Sequence, residues 1–216
     1  MREAVTRRCL PHWYRPDAAH FVTYRLAGSL PAGVLTSLRR RLNLSLAGVP
    51  ADDFDRRAAA HKRAFAAYDR ALHAARGPRH LADPRVAAVV AESLRHLDGR
   101  RYALLAYCVM PNHVHAVFTP NSEAPPAVPG DVIEAPPTGP LTPIMHALKS
   151  YTAHAANDLL GRSGPFWQRE SYDHWVRDDE ELARVVEYVV RNPVTAGLAA
   201  EPGDWPWTWR DPERLA

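Results

Sequence analysis

Two strand-like runs joined by three residues constrain this chain more than any other feature. Residues 102–109 and 113–119 are both rich in apolar and β-branched side chains, and only Met110, Pro111 and Asn112 lie between them. So short a link reads as a hairpin or near-hairpin, an antiparallel pair, so the chain must build a sheet. Residues 20–26 add another strand, with Phe21, Thr23 and Arg25 alternating against Val22, Tyr24 and Leu26.

Helical patterns fill the rest. Pro31 is suited to the first turn of a helix through Arg39, Arg40 and Arg41. From Asp53 to Arg76, Phe54, Ala58, Phe65, Tyr68 and Leu72 recur at helical spacing, with His61 on the same stripe as a packed or boundary residue. Asp83 and Pro84 open a helix carrying Val86, Val89, Val90, Leu94 and Leu97, closed by Gly99. Leu141, Ile144, Met145, Leu148, Tyr151, Thr152, Ala155 and Leu159 fit a further helix. The last starts at Asp178 with Glu181 at the capping-box position, carries Leu182, Val185, Val186, Val189 and Val190, and is expected to stop at Asn192 and Pro193. Strands and helices thus mix in an α+β domain, with too few strands for a doubly wound sheet. Between 120 and 143 the density of proline predicts an exposed, flexible loop.

Composition narrows the class. At 216 residues, 46% hydrophobic and 24% charged, the chain suits one globular domain, and no apolar run reaches the length of a membrane-spanning helix. Arg2, Arg7, Arg8 and Arg15 precede no hydrophobic core, so no secretory signal is expected. Cys9 and Cys108 are too few for a disulfide framework or a cysteine zinc site, and a reducing, cytoplasmic setting is the expectation. The net charge of +3 is carried almost wholly by arginine, since Lys62 and Lys149 are the only lysines. Arginine suits phosphate, but a GC-rich genome would give the same bias, so composition alone does not establish a DNA partner.

The chemistry concentrates in two stretches. On a strand, His113 and His115 project from one face and can ligate one divalent ion, leaving positions open for substrate. Residues 164–177 crowd Phe166, Trp167, Arg169, Tyr172, Asp173, His174 and Arg177 into a short segment. A tyrosine hydroxyl is a weak nucleophile at neutral pH unless a cation stabilises the phenolate, which Arg169, Arg177 or a histidine-bound metal would do.

The blocks VMPNHVH at 109–115 and FWQRESYDHWVR at 166–177 resemble the REP-associated tyrosine transposases, members of the single-tyrosine HUH (His–hydrophobic–His) superfamily. FVTYRLAGSLP at 21–31, LKSYT at 148–152, YVVRNPVTAGL at 188–198 and WPW at 205–207 match in the same order. The resemblance implies a ferredoxin-like antiparallel sheet packed by helices, with the histidine pair on a central strand and the tyrosine on a nearby helix. It implies one HUH domain at 12–200, with a helical insertion at 52–76 and a Trp-rich tail at 201–216; the disordered proline-rich loop at 120–143 is read from its composition and matches nothing in the family. The resemblance also implies cleavage of single-stranded or hairpin DNA through a 5′-phosphotyrosine, dependent on Mg or Mn, in a nucleoid-associated monomer or homodimer.

Carried over by motif, Tyr172 is the nucleophile and His113 and His115 are metal ligands. Tyr151 is a rival nucleophile, although its place on an apolar stripe argues for packing. In related insertion-sequence enzymes a third ligand follows the tyrosine by one helical turn; after Tyr172 that position is Val176, which cannot ligate, leaving His174 or Asp173 as candidates. Lys149, Arg169, Arg177, Arg39, Arg40 and Arg41 are candidate DNA contacts, the arginine run equally readable as a solvated helix face. Trp205, Trp207 and Trp209 would stack on bases or anchor the tail. Two other readings stand beside the transposase: a domesticated hairpin-binding protein that does not cut, and a histidine-triad nucleotide hydrolase, whose third histidine is replaced by Val117.

Overall fold

The computed structural model describes residues 18–50, 52–121 and 141–215, and the backbone of 4–7 and 11–14. Strands β1 (Ala4–Arg7) and β2 (Pro11–Tyr14) form a separate antiparallel pair. The main sheet contains β3 (His20–Arg25), β4 (Tyr102–Val109), β5 (His113–Pro120), β6 (Tyr172–Trp175) and β7 (Thr208–Arg210). Its order is β6-β3-β5-β4-β7, antiparallel throughout. The first four strands in that order have the ferredoxin-like arrangement, and β7 extends it at the β4 edge. The fold is α+β, as the sequence predicts, and the histidine strand β5 lies at the centre.

Among the described residues five α-helices accompany the sheet: α1 (Ala32–Leu46), α2 (Phe54–Ala74), α3 (Pro84–His96), α4 (Leu141–Leu159) and α5 (Asp179–Thr195). Strand alternation divides the core in two. Val22, Tyr24, Leu26, Tyr107, Val114 and Phe118 face α3 and α4, which contribute Val90, Leu94, Ile144 and Leu148. Phe21, Ala106, Cys108 and Val117 face the other way, against Val186 and Val189 of α5 and Phe65 of α2. A bulge between Leu104 and Ala106 inserts Leu105 and resets the alternation, so Tyr102, Leu104, Tyr107 and Val109 all reach the first layer.

The predicted cap at Asp178 forms, although Glu181 accepts from the Arg177 N–H and not from that of Asp178 as a capping box requires, and two further aspartates cap helices. Asp53 accepts from the Arg56 N–H, Asp83 from the Arg85 N–H with Pro84 in the first turn, and Asp178 from the Glu181 N–H. The predicted end of α5 at Asn192 and Pro193 is corrected: the helix runs on to Thr195. A proline in the last turn removes one donor, while the Ala196 N–H still bonds the Asn192 carbonyl. Gly197, at φ 69, then closes the helix in the left-handed region.

The packing expected of Tyr151 is also corrected. It is 62% exposed, whereas Leu148 and Thr152 are buried, because the sheet takes up only one side of the stripe. Both ends of the predicted loop at 120–143 are corrected: Pro120 closes β5, and residues 141–143 open α4. Residues 122–140 lie outside the described residues. The tail packs on the sheet: β7 pairs with β4, the Trp205 indole N–H donates to the Val109 carbonyl at 2.9 Å, and Trp209 stacks on Tyr107. No described helix is long and apolar enough to cross a membrane.

Candidate active site

Strand β5 presents His113 and His115 on the face covered by α2 and α5, both buried. Their Nε2 atoms converge to 3.0 Å. Each Nδ1 is held from behind: that of His113 lies 2.6 Å from Asn112 Oδ1, and that of His115 lies 2.8 Å from Thr23 Oγ1. A ring N–H at Nδ1, donated to these oxygens, leaves both Nε2 lone pairs facing the same point. Asn112 also donates from its Nδ2 to the Leu72 carbonyl at 2.9 Å, which ties the end of α2 to the link between the two strands.

That tie brings in residues the sequence motifs did not point to. Asp69 of α2 is buried, with Oδ1 3.2 Å from His115 Nε2 and 3.7 Å from His113 Nε2. His73, one turn later, has Nε2 3.5 Å from Asp69 Oδ2 and 3.1 Å from Asn192 Oδ1. Burial opposes ionisation of Asp69, but the adjacent imidazole of His115, with those of His113 and His73, outweighs it, and the carboxyl is held well below its ordinary range. Burial and the neighbouring His115 push His113 the other way, towards the neutral ring.

The donor set fits a divalent ion. Asp69 Oδ1 is buried and completes no hydrogen bond among the described residues. Asp69, His73 and His113 offer ligand atoms within 4.8 Å of one another, and His115 joins them through Asp69. Two ligands at right angles on bonds of about 2.1 Å would stand about 3 Å apart, matching the two Nε2 atoms. One carboxylate and neutral imidazoles suit a metal of intermediate hardness.

Two tyrosines come near this cluster. Tyr172 opens β6 and is not helical, contrary to the expectation of a tyrosine on a helix, because residues 172–175 pair in register with β3. Thr23 stands between Tyr172 and His115 in the sheet, pairing with one on each side. The Tyr172 ring packs 4.4 Å from Phe65, and burial, followed by the charges of Asp173 and Glu181, holds its hydroxyl protonated. Tyr188, by contrast, is on α5, with its ring 5.6 Å from His115. Its buried hydroxyl adjoins Asp69 and Asn192 and completes no hydrogen bond among the described residues. Burial and the Asp69 charge raise its pKa strongly. Asn192 follows Tyr188 by one helical turn and points its Nδ2 at Asp69 Oδ2, 3.5 Å away.

The other predicted residues are dispersed. His174 Nε2 lies 3.2 Å from Glu181 Oε1, so it is engaged at the start of α5 and does not join the histidine cluster. Asp173 is buried, and strand alternation sends it to the opposite face from Tyr172 and His174. Arg177 donates from its backbone N–H and its Nε to Glu181 Oε2. Lys149 donates to the carbonyls of Gln168 and Arg169, and burial, followed by Arg25, brings its pKa down to about 8. It holds the segment leading into β6. Arg39 pairs with Glu170 at 3.4 Å, whereas Arg40, Arg41 and Arg169 are exposed.

Signals for the missed residues were present. Asp69 with His73, and Tyr188 with Asn192, are both pairs of polar residues one turn apart on otherwise apolar helix faces. Val176, one turn after Tyr172, cannot ligate, whereas Asn192, one turn after Tyr188, is a polar residue beside Asp69.

Comparison with known proteins gives one sequence relative. The chain is 27% identical over 108 residues to a Haemophilus influenzae protein that is, by its name, a REP-associated tyrosine transposase. The match covers 50% of this chain and 58% of the relative, so the chain spans little more than half of that protein's length. A solved structure of a REP-associated tyrosine transposase bound to a REP hairpin aligns over 91% of this chain and 79% of that one, at a TM-score of 0.49 and 16% identity. No family model matches.

Proposed function

We propose that this chain is a REP-associated tyrosine transposase that cuts and rejoins single-stranded DNA beside hairpins, using a divalent ion and a tyrosine nucleophile. The observation that carries this reading is the convergence of His113 Nε2, His115 Nε2 and the orphaned Asp69 Oδ1 beside the Tyr188 hydroxyl. The sequence resemblance and the H. influenzae relative support the same class of reaction.

His113, His115 and Asp69 would hold the ion, with His73 and Asn192 behind Asp69. A Mg or Mn ion held there would polarise a phosphoryl oxygen and would lower the cost of a phenolate. The protein's own groups do the rest. Asn112 and Thr23 fix the two imidazoles in the ligating tautomer. The Tyr188 hydroxyl gives up its proton and its oxygen bonds to phosphorus in line with the departing 3′ oxygen, which leaves as a 3′-OH. The phosphate ester is then kept on Tyr188, and attack by a second 3′-OH returns the tyrosine and joins the strands.

Of the two tyrosines, proximity to the ligands supports Tyr188, and the spacing to Asn192 matches the ligand position that the resemblance implies. The sequence motif alone supports Tyr172, which packs on Phe65 one strand further away. Labelled hairpin oligonucleotides with single-stranded flanks, taken from the DNA surrounding the gene, test both. With Mn²⁺ or Mg²⁺, a covalent protein–DNA band is expected for the wild type and for Tyr172→Phe, and none for Tyr188→Phe or His115→Ala. A band that survives Tyr188→Phe but not Tyr172→Phe would reverse the assignment. Tight hairpin binding with no band under any metal would favour the non-cutting alternative.

A further inference from the structure

Helix α1 carries an apolar stripe and buries none of it fully. Leu35, Leu38 and Leu42 fall on one side of the helix, yet each is only half-buried. They look into a cleft whose far wall is α2, through Ala64, Phe65 and Tyr68, and whose end is closed by Gln168 and Tyr172. Phe65 and Tyr172 belong to two places at once. They line this cleft, and Phe65 also lies 6.3 Å from His115 and 5.9 Å from Tyr188, ring centre to ring centre. The cleft and the candidate active site are therefore the two sides of one aromatic partition.

We propose that the cleft receives one unpaired nucleobase of the DNA strand, the base next to the scissile phosphate; this rests on the DNA-processing reading above. Three observations favour a base over an apolar peptide or a second copy of the chain. One ring, Phe65, separates the cleft from His115 and Tyr188, at 6.3 and 5.9 Å, so the cleft lies within the span of one nucleotide from the candidate site. Its lining combines aromatic rings and leucines with the Gln168 carboxamide, which offers both donors and an acceptor to a base edge. Its charged lining is cationic on the inside: Arg25 is buried at the cleft, donating to the Leu26 carbonyl and Ser29 Oγ, and Arg39 stands at the mouth beside Glu170. An anionic strand is drawn to that lining, and an aliphatic side chain gains nothing from it.

The test replaces each nucleotide of the single-stranded flank in turn with an abasic one and measures affinity and covalent adduct separately. One position beside the cut is expected to weaken binding and adduct formation about tenfold, the scale of one base stacked on aromatic side chains. Leu38→Trp, which fills the cleft from α1, should impose the same loss on the intact flank and erase the abasic effect. Gln168→Ala should narrow the preference among the four bases at that position. A flat abasic binding profile in the wild type overturns the proposal, as does a profile that Leu38→Trp leaves unmoved. A dimer dissociated by Leu38→Trp with that profile intact would make the cleft a contact between copies. Absence of adduct with a position-dependent binding profile counts against the enzymatic reading and leaves the base site standing.

Discussion

Asn112 performs two tasks with one side chain: its Oδ1 faces His113 Nδ1 and its Nδ2 holds the end of α2 at Leu72. Both tasks converge on the cluster proposed to hold the ion, since α2 carries Asp69 and His73. Partners of this kind, behind a ligand, typically change metal affinity by about 10- to 100-fold. Asn112→Ala is therefore expected to weaken Mn²⁺ binding by that range in a calorimetric titration, with the far-ultraviolet spectrum of the folded protein kept. Unchanged Mn²⁺ affinity would remove Asn112 from the site. At this scale the sequence is informative where the rule is local. His113 and His115 share a face because strands alternate, and that could be read directly. Asp69 could not, because its place beside them depends on how α2 crosses the sheet. Tyr188 was hidden on the same ground: a dense motif drew attention to Tyr172, with Tyr151 as its rival, while the ring next to His115 sits in a run that reads as ordinary helix core.

The elements were more legible than the site. Capping residues at Asp53, Asp83 and Asp178 mark helix starts that the structure keeps, since each depends on its own following turn. The errors lie where tertiary context decides, as at Tyr151, or where a helix tolerates proline in its last turn. The start of α5 also carries a pH signature. Burial opposes the charge on Glu181, but the backbone N–H and guanidinium of Arg177, with His174, outweigh it and lower its pKa to about 2. A carboxyl lowered on folding contributes stability above its unfolded pKa of about 4.3 and loses it as the pH falls towards 2. Glu181→Gln is expected to cost about 1 kcal/mol at pH 7 in urea unfolding, with the difference from wild type shrinking below pH 4.5. A difference that is constant from pH 7 to pH 3 would show that the charge of Glu181 is not what holds the cap.

For the molecule as a whole, the sheet order explains why the site lies where it does. The ferredoxin-like arrangement puts β5 in the middle, α3 and α4 cover one face, and the other face is left for α2 and α5. His113 and His115 from β5, Asp69 and His73 from α2 and Tyr188 from α5 then meet in one buried layer, although they come from distant parts of the chain. The hairpin motif and the period of the helices were enough to predict an α+β domain, and the resemblance alone implied that the histidines lie on a central strand. They were not enough to predict which helices would close over them. The assignment of Tyr188 follows from that closure, and one measurement addresses it directly. Protein incubated with Mn²⁺ and a flanked hairpin is digested with protease and nuclease, and the peptide carrying a residual nucleotide is sequenced by mass spectrometry. The account predicts a phosphotyrosyl nucleotide on Tyr188; the same modification on Tyr172 or Tyr151, with Tyr188 unmodified, would contradict it.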